Sequence, residues 1–102
     1  MTPPTFNEVL CVGMHFRGEE AKELASALLP DDELTLEREP FNMHDENAIK
    51  VSLREHWIGY IQRQTAAFLA SYMDEGTQYR AVVTGHKGQY PVLDVMPVTE
   101  AA

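Results

Sequence analysis

The segment Arg38–Val51, REPFNMHDENAIKV, carries four polar side chains in succession, at His44, Asp45, Glu46 and Asn47. Alternating apolar residues before and after them predict two strands joined by a turn. Reversing a chain does not require four consecutive side chains that donate or accept hydrogen bonds. The turn is therefore a candidate binding site. An ionised carboxylate only accepts hydrogen bonds, so Asp45 suits a hydroxyl group and repels a phosphate.

A structural role for the same residues is the alternative. Asn and Asp side chains commonly close turns by bonding their own backbone, and Asn42, Asp45 and Asn47 are placed to do so. Arg38 is expected to pair with a neighbouring acid, Glu37 or Glu39, rather than with a ligand.

Other chemistry is poorly represented in the sequence. His15, His44 and Asp45 are possible metal ligands from two segments, but they lack a tight ligand spacing. Cys11 lies among apolar residues in VLCVGM and is expected to be a small buried hydrophobe. The chain has no glycine loop that would cradle a phosphate. We predict no catalytic residue, no metal and no cofactor.

The composition is that of one ordinary globular domain. The chain has 102 residues, of which 44% are hydrophobic and 24% are charged. We predict a single domain over residues 1–102, with a core at about 6–98 and loose termini at TPPT and PVTEAA. No leader sequence or membrane-spanning run is apparent, and a single cysteine is typical of a protein of the cytoplasm.

The charge balance restricts the kinds of partner. Sixteen acidic and eight basic residues give a net charge of −8. Proteins that bind long stretches of duplex need an extended basic face, because phosphate neutralisation supplies most of their affinity. The sequence excludes such a groove but leaves room for a small local positive site.

The predicted order of elements is strand, helix, three strands, helix, two strands. The first strand is expected over NEVLCVGMHF, and the last two form a hairpin across KGQ. Helical spacing predicts that each helix has one apolar face: Ala21, Leu24, Ala25, Leu28 and Leu29 in the first, and Thr65, Phe68, Leu69, Tyr72 and Met73 in the second. The predicted fold is α+β and mainly β, a small antiparallel barrel with two helices packed on it.

Two linked motifs, REPFNMHDENAIKV and WIGYIQRQTAAFLA, resemble the HIRAN domain. The similarity extends from about Val9 to Val95 and includes the Gly-Tyr pair between the two motifs. It implies a modified OB-like β-barrel with two helices. It also implies a module that captures the 3′ end of single-stranded DNA, as in helicase-like fork-remodelling enzymes.

The resemblance implies that His44 and Asp45 meet the terminal nucleotide and its 3′-hydroxyl. Unpaired bases can stack on flat rings, and a few cations can hold one or two phosphates. The predicted DNA-binding residues are therefore His15, Phe16, Arg17, His44, Asp45, Lys50, Tyr60 and Arg63.

Two functions remain open from the sequence. The first is a non-catalytic module that binds single-stranded DNA ends, preferably the 3′-hydroxyl end, in repair or replication. The second is an acidic protein-interaction module that docks on a basic partner such as a nuclease or helicase.

Overall fold

The computed structural model describes residues 2–98. Six strands and two helices follow the predicted order, and their bounds are β1 Phe6–Val12, α1 Glu19–Ala27, β2 Glu33–Arg38, β3 Ile49–Leu53, β4 His56–Ile61, α2 Arg63–Asp74, β5 Tyr79–Lys87 and β6 Tyr90–Pro97. The expected loose carboxyl terminus falls largely on residues 99–102, outside the described part. At the other end, the hydroxyl of Tyr79 donates to the carbonyl oxygen of Pro4 at 2.9 Å, which fastens the TPPT segment to β5.

The strands close into a barrel in the order β1-β4-β3-β2-β5-β6, with every neighbouring pair antiparallel. This confirms the predicted small α+β barrel. Inward side chains from all six strands fill the core, among them Val9, Leu34, Val51, Ile58, Val83 and Leu93. Cys11 belongs to this core, as predicted, and burial raises the pKa of its thiol to about 12.

Gly59 allows β1 and β4 to pair closely. A Cβ atom at this position would lie 2.5 Å from the carbonyl oxygen of Val12 and 3.1 Å from Sγ of Cys11. The first of these atoms belongs to the backbone of the paired strand and cannot move aside cheaply. The glycine of the WIGYI motif is therefore a requirement of barrel closure.

The first strand is shorter than the sequence predicts. Gly13 adopts a left-handed conformation with φ 82°, and this turn ends the strand. Met14–Phe16 then form one turn of 3₁₀ helix. The prediction that His15 and Phe16 continue the strand is wrong, because Gly13 redirects the chain after Val12.

Helix α1 packs against β4 and β6. It buries Ala21 and Ala25, and Leu28 is buried just after its last turn. Leu29 was expected on the same face, but it is 66% exposed. The prediction fails because the chain becomes extended at Leu28, where ψ is 140°, so helical spacing no longer places the next residue.

Helix α2 packs on β2 through a face of small residues, with Ala66, Leu69 and Ala70 buried. Phe68, which spacing placed in the core, is 67% exposed. The buried face is rotated relative to the predicted one, because the buried positions are Ala66, Leu69 and Ala70, which share a helix face that does not include Phe68. Neither helix in the described part has the length or apolar character needed to cross a membrane.

Arg38, at the end of β2, ties the β2–β3 loop to α2. Its guanidinium donates to both carboxylate oxygens of Asp74, at 2.9 and 3.1 Å, and to the carbonyl oxygens of Glu46 and Ala48, at 3.0 and 2.7 Å. The expected pairing of Arg38 with an adjacent acid is therefore wrong. The planar fork of arginine can serve a carboxylate and two carbonyls together, which no lysine can do.

We predict that Gly59→Ala destabilises the protein by about 1–3 kcal/mol, because the added methyl group meets the backbone of β1. The measurement is the free energy of unfolding in urea. Gly85→Ala is the matched control, since a Cβ at Gly85 would have no neighbour within 4 Å. Equal destabilisation by the two substitutions would contradict this account of barrel closure.

The Arg38–Asp74 pair should make stability depend on acid. The hydrogen bond from Arg38 holds the pKa of Asp74 below its ordinary value. Its contribution to stability is therefore present above about pH 4 and lost as the pH falls through the lowered pKa. We expect Asp74→Asn to lower the urea midpoint at neutral pH, and the difference from wild type to shrink on acidification.

Glu75→Gln removes a charge one residue away, on an exposed side chain that has no hydrogen bond to Arg38. It should leave the acid dependence of the urea midpoint unchanged. A difference between Asp74→Asn and wild type that stays constant from neutral to acid pH would refute the role of this ion pair.

Candidate nucleic-acid interface

Side-chain hydrogen bonds give the β2–β3 loop a fixed shape. Oδ1 of Asn42 accepts from the backbone N–H groups of His44 and Asp45, at 2.9 and 3.0 Å. Oδ1 of Asp45 in turn accepts from the N–H of Asn47 at 2.9 Å. The structural role proposed for Asn42 and Asp45 is therefore real. It does not exclude a binding role, because the same bonds fix the direction in which Asp45 points.

Glu39 holds this loop in place through hydrogen bonds to two side chains. Its Oε1 accepts from the hydroxyl of Tyr60 at 2.7 Å and from Nδ2 of Asn42 at 3.1 Å. The second bond orients the Asn42 amide so that its oxygen faces the turn. Burial, together with the hydrogen bond to Glu39, raises the pKa of Tyr60 to about 12. The hydroxyl of Tyr60 is thus engaged within the protein, and its ring is the part that can meet a ligand.

A pocket of about 400 Å³ opens between the end of β1, the loop and the start of α2. Its apolar walls include Val12, Ala48 and Ile61. Five of the eight predicted binding residues line it: Phe16, His44, Asp45, Tyr60 and Arg63. The volume is in the range of small-ligand sites. The topology therefore brings together residues that lie up to 47 positions apart in the sequence.

Asp45 and Arg63 form a loose charged pair at the rim. Nε of Arg63 lies 3.8 Å from Oδ2 of Asp45, and Nη2 of Arg63 donates to the carbonyl oxygen of His44 at 3.4 Å. The Asp45 side chain is 21% exposed and that of Arg63 is 79% exposed. The carboxylate is thus held in place while the arginine remains free to turn toward a ligand.

Three predicted residues lie outside this pocket. His15 is exposed and its ring lies beside that of Phe16, with centroids 4.0 Å apart and planes tilted by 40°, but it lines a separate hollow beside Met14 and Lys22. Arg17 and Lys50 both lie over the ring of Trp57. None of these three residues lines the pocket that contains Asp45.

Two residues of the site were not predicted from the sequence as functional. Glu39 was considered only as a partner of Arg38, although its spacing of three from Asn42 suits a contact across a turn. Trp57 is not among the predicted binding residues, yet two cations lie over its ring. No group of three or more potential metal ligands converges within residues 2–98.

The sequence profile of the HIRAN domain matches residues 7–99. Among solved structures, a protein from Lactobacillus plantarum is similar at 27% identity and a TM-score of 0.80, with 91% of this chain and 92% of that chain covered. The HIRAN domain of human HLTF is similar at 22% identity and a TM-score of 0.72, over 91% of this chain and 74% of that one. Among curated proteins, none matches this sequence.

The profile match covers nearly the whole chain, and the likeness to the HLTF domain shows the same fold. HIRAN domains are DNA-binding modules, which supports a nucleic-acid-binding role. Because the profile match covers residues 7–99, the chain belongs to the HIRAN domain family.

Proposed function

We propose that this protein binds the 3′-hydroxyl end of single-stranded DNA, without chemistry of its own, as one barrel unit. We also propose that it acts in the cytoplasm and takes part in DNA repair or replication. The observation that carries the proposal is the fixed carboxylate of Asp45 at the rim of an apolar pocket with aromatic walls. Family membership gives the general role in binding nucleic acid.

Asp45 is suited to recognise where a strand ends. One carboxylate oxygen accepts from the backbone of Asn47, while the other lies 3.8 Å from Arg63, too far for a strong hydrogen bond. That second oxygen has room to accept from a terminal hydroxyl. A phosphate in the same place would bring two negative charges together, so an internal or 3′-phosphorylated position is disfavoured.

Aromatic rings provide surfaces for the terminal bases. Phe16 is 81% exposed, His44 is exposed, and the ring of Tyr60 forms part of the pocket wall. Stacking of a base on such a ring contributes about 1–3 kcal/mol and tolerates any base. Affinity can therefore arise with few phosphate contacts, as a protein of net charge −8 requires.

A second candidate is the acidic module that docks on a basic partner such as a nuclease or helicase. Phe41 and Met43 favour it, because they are 95% and 96% exposed on the same rigid loop. Buried aromatic and methionine side chains are common at protein interfaces. A protein partner that uses this loop would compete with DNA for it, so competition by an oligonucleotide would separate the two functions.

We expect the wild-type protein to bind a fluorescein-labelled oligothymidine with a free 3′ end at least about tenfold more tightly than the same strand carrying a 3′-phosphate, a difference of about 1.4 kcal/mol. Asp45→Asn should bring this ratio close to one. The asparagine can still accept from the N–H of Asn47, so the turn is retained and only the charge is lost. Fluorescence anisotropy measures both affinities.

Glu75→Gln serves as the charge-matched control, since it removes one negative charge at the exposed far end of α2. It should keep the wild-type preference for the free end. Wild-type protein that binds both strands equally would rule out end recognition.

The affinity should depend only weakly on salt. Because the site holds few cations, we expect contacts to one to three phosphates. The slope of the logarithm of the association constant against the logarithm of salt concentration should then lie between about −0.7 and −2. A titration series in sodium chloride measures it. A slope several-fold steeper would indicate an extended groove and contradict capture of an end.

A further inference from the structure

Trp57 lies beside the pocket and carries two cations on its ring. The guanidinium carbon of Arg17 is 3.5 Å from the ring centroid, and Nζ of Lys50 is 4.7 Å from it. The ring itself is fixed, because Nε1 donates to the carbonyl oxygen of Gly59 at 3.0 Å. Three separate segments thus meet here: the turn after β1, strand β3 and strand β4.

The charges of this cluster are not balanced within the described part of the protein. Among residues 2–98, no carboxylate lies within ion-pair distance of Arg17. Lys50 has only a long contact of 3.8 Å to Glu37, whose side chain is 66% exposed. Two like charges held at one ring repel each other, and a bound anion offsets that repulsion.

The cluster adjoins the pocket through Tyr60. The rings of Trp57 and Tyr60 meet edge to face with centroids 5.5 Å apart, and Lys50 pairs with Tyr60 across strands β3 and β4. Tyr60 also lines the pocket that holds Asp45. A strand whose end lies at Asp45 would therefore meet Arg17 and Lys50 after it crosses Tyr60.

Phosphate is the anion that this geometry suits. A guanidinium stacked on an aromatic face keeps its plane fixed and directs its N–H edge outward, where it can bind two oxygens of one group. The ammonium of Lys50 adds a point charge without directional demands. The protein has sixteen acidic residues, yet within residues 2–98 none of them forms an ion pair with Arg17.

We infer that Arg17, Lys50 and Trp57 form a second site, which binds the phosphodiester group one or two nucleotides inward from the strand end. This inference rests on the proposed function and adds the course of the strand: its end lies at Asp45, and its body runs across Tyr60 toward Trp57. The site does not discriminate between bases. It accounts for most of the salt dependence of DNA binding.

The test compares the double variant R17Q/K50Q with the charge-matched control R80Q/K87Q. Arg80 pairs with Glu33 on the opposite part of the barrel, and Lys87 lies at the β5–β6 turn. Glutamine retains the stems of the replaced side chains. Anisotropy with a six-nucleotide oligothymidine, with a free or phosphorylated 3′ end, is recorded over a range of salt concentrations.

We expect R17Q/K50Q to weaken binding of the hexamer at least about tenfold at low salt and to make the salt slope shallower by about 0.7–1.4, the effect of one or two phosphates. The ratio between free and blocked ends should stay at its wild-type value. Trp57 is the only tryptophan, so its fluorescence should change on hexamer binding in wild-type protein.

The outcomes separate this inference from the proposed function. A double variant that matches R80Q/K87Q in affinity and slope overturns the second site, while a retained end preference leaves the proposed function standing. A changed slope without any end preference supports the second site and overturns end recognition. Wild-type protein that binds no hexamer overturns both.

Discussion

The side-chain amide of Asn42 holds the β2–β3 loop in the shape that positions the other residues of the site. In the loop between β2 and β3, only the N–H groups of Glu39, Asn42 and Ala48 donate to backbone carbonyl oxygens, so its shape depends on side-chain acceptors. Asn42 supplies one oxygen to two of them, at His44 and Asp45, while Glu39 holds the other end of the amide. The direction of the Asp45 carboxylate follows from these bonds and from the hydrogen bond that it accepts from Asn47.

The electrostatics of the protein agree with recognition of an end more than of a length of strand. A net charge of −8 opposes any mode that relies on many phosphate contacts. Most cations are already engaged: Arg38 is bound to Asp74, and Arg80 to Glu33. Near the pocket residue Tyr60, Arg63 lines the same pocket, while Arg17 and Lys50 lie over the ring of Trp57. Their number is small, but they are concentrated where the chain presents its aromatic rings.

The element order and the closed barrel were predictable from the sequence, because alternation and helical spacing are local properties. The core face of α2 was not. Its buried stripe contains Ala66 and Ala70 and leaves Phe68 in solvent, and spacing alone does not reveal that a helix buries its alanines in place of a phenylalanine. The same is true of Leu29, since the end of α1 is set by one backbone torsion at Leu28.

The site was predictable in part for a similar reason. The conspicuous polar turn and the resemblance to HIRAN domains indicated eight residues, of which five line one pocket. Side-chain pairs between distant segments could not be predicted from the sequence. Arg38 and its partner Asp74 are 36 positions apart, and Tyr60 and its partner Glu39 are 21 positions apart. Such contacts arise only when the barrel closes. The chain carries no local pattern that would favour Asp74 over the adjacent acids as the partner of Arg38.

We propose that Asp45, fixed by its turn, recognises the terminal hydroxyl of a DNA strand. Its most direct test is a nuclear magnetic resonance titration of isotopically labelled protein with the dinucleotide TpT and with the same dinucleotide bearing a 3′-phosphate. We expect TpT to shift the amide signals of His44, Asp45 and Asn47 most strongly, and the 3′-phosphate to remove those shifts. Equal shifts with both ligands, or the largest shifts on a surface away from this loop, would contradict it.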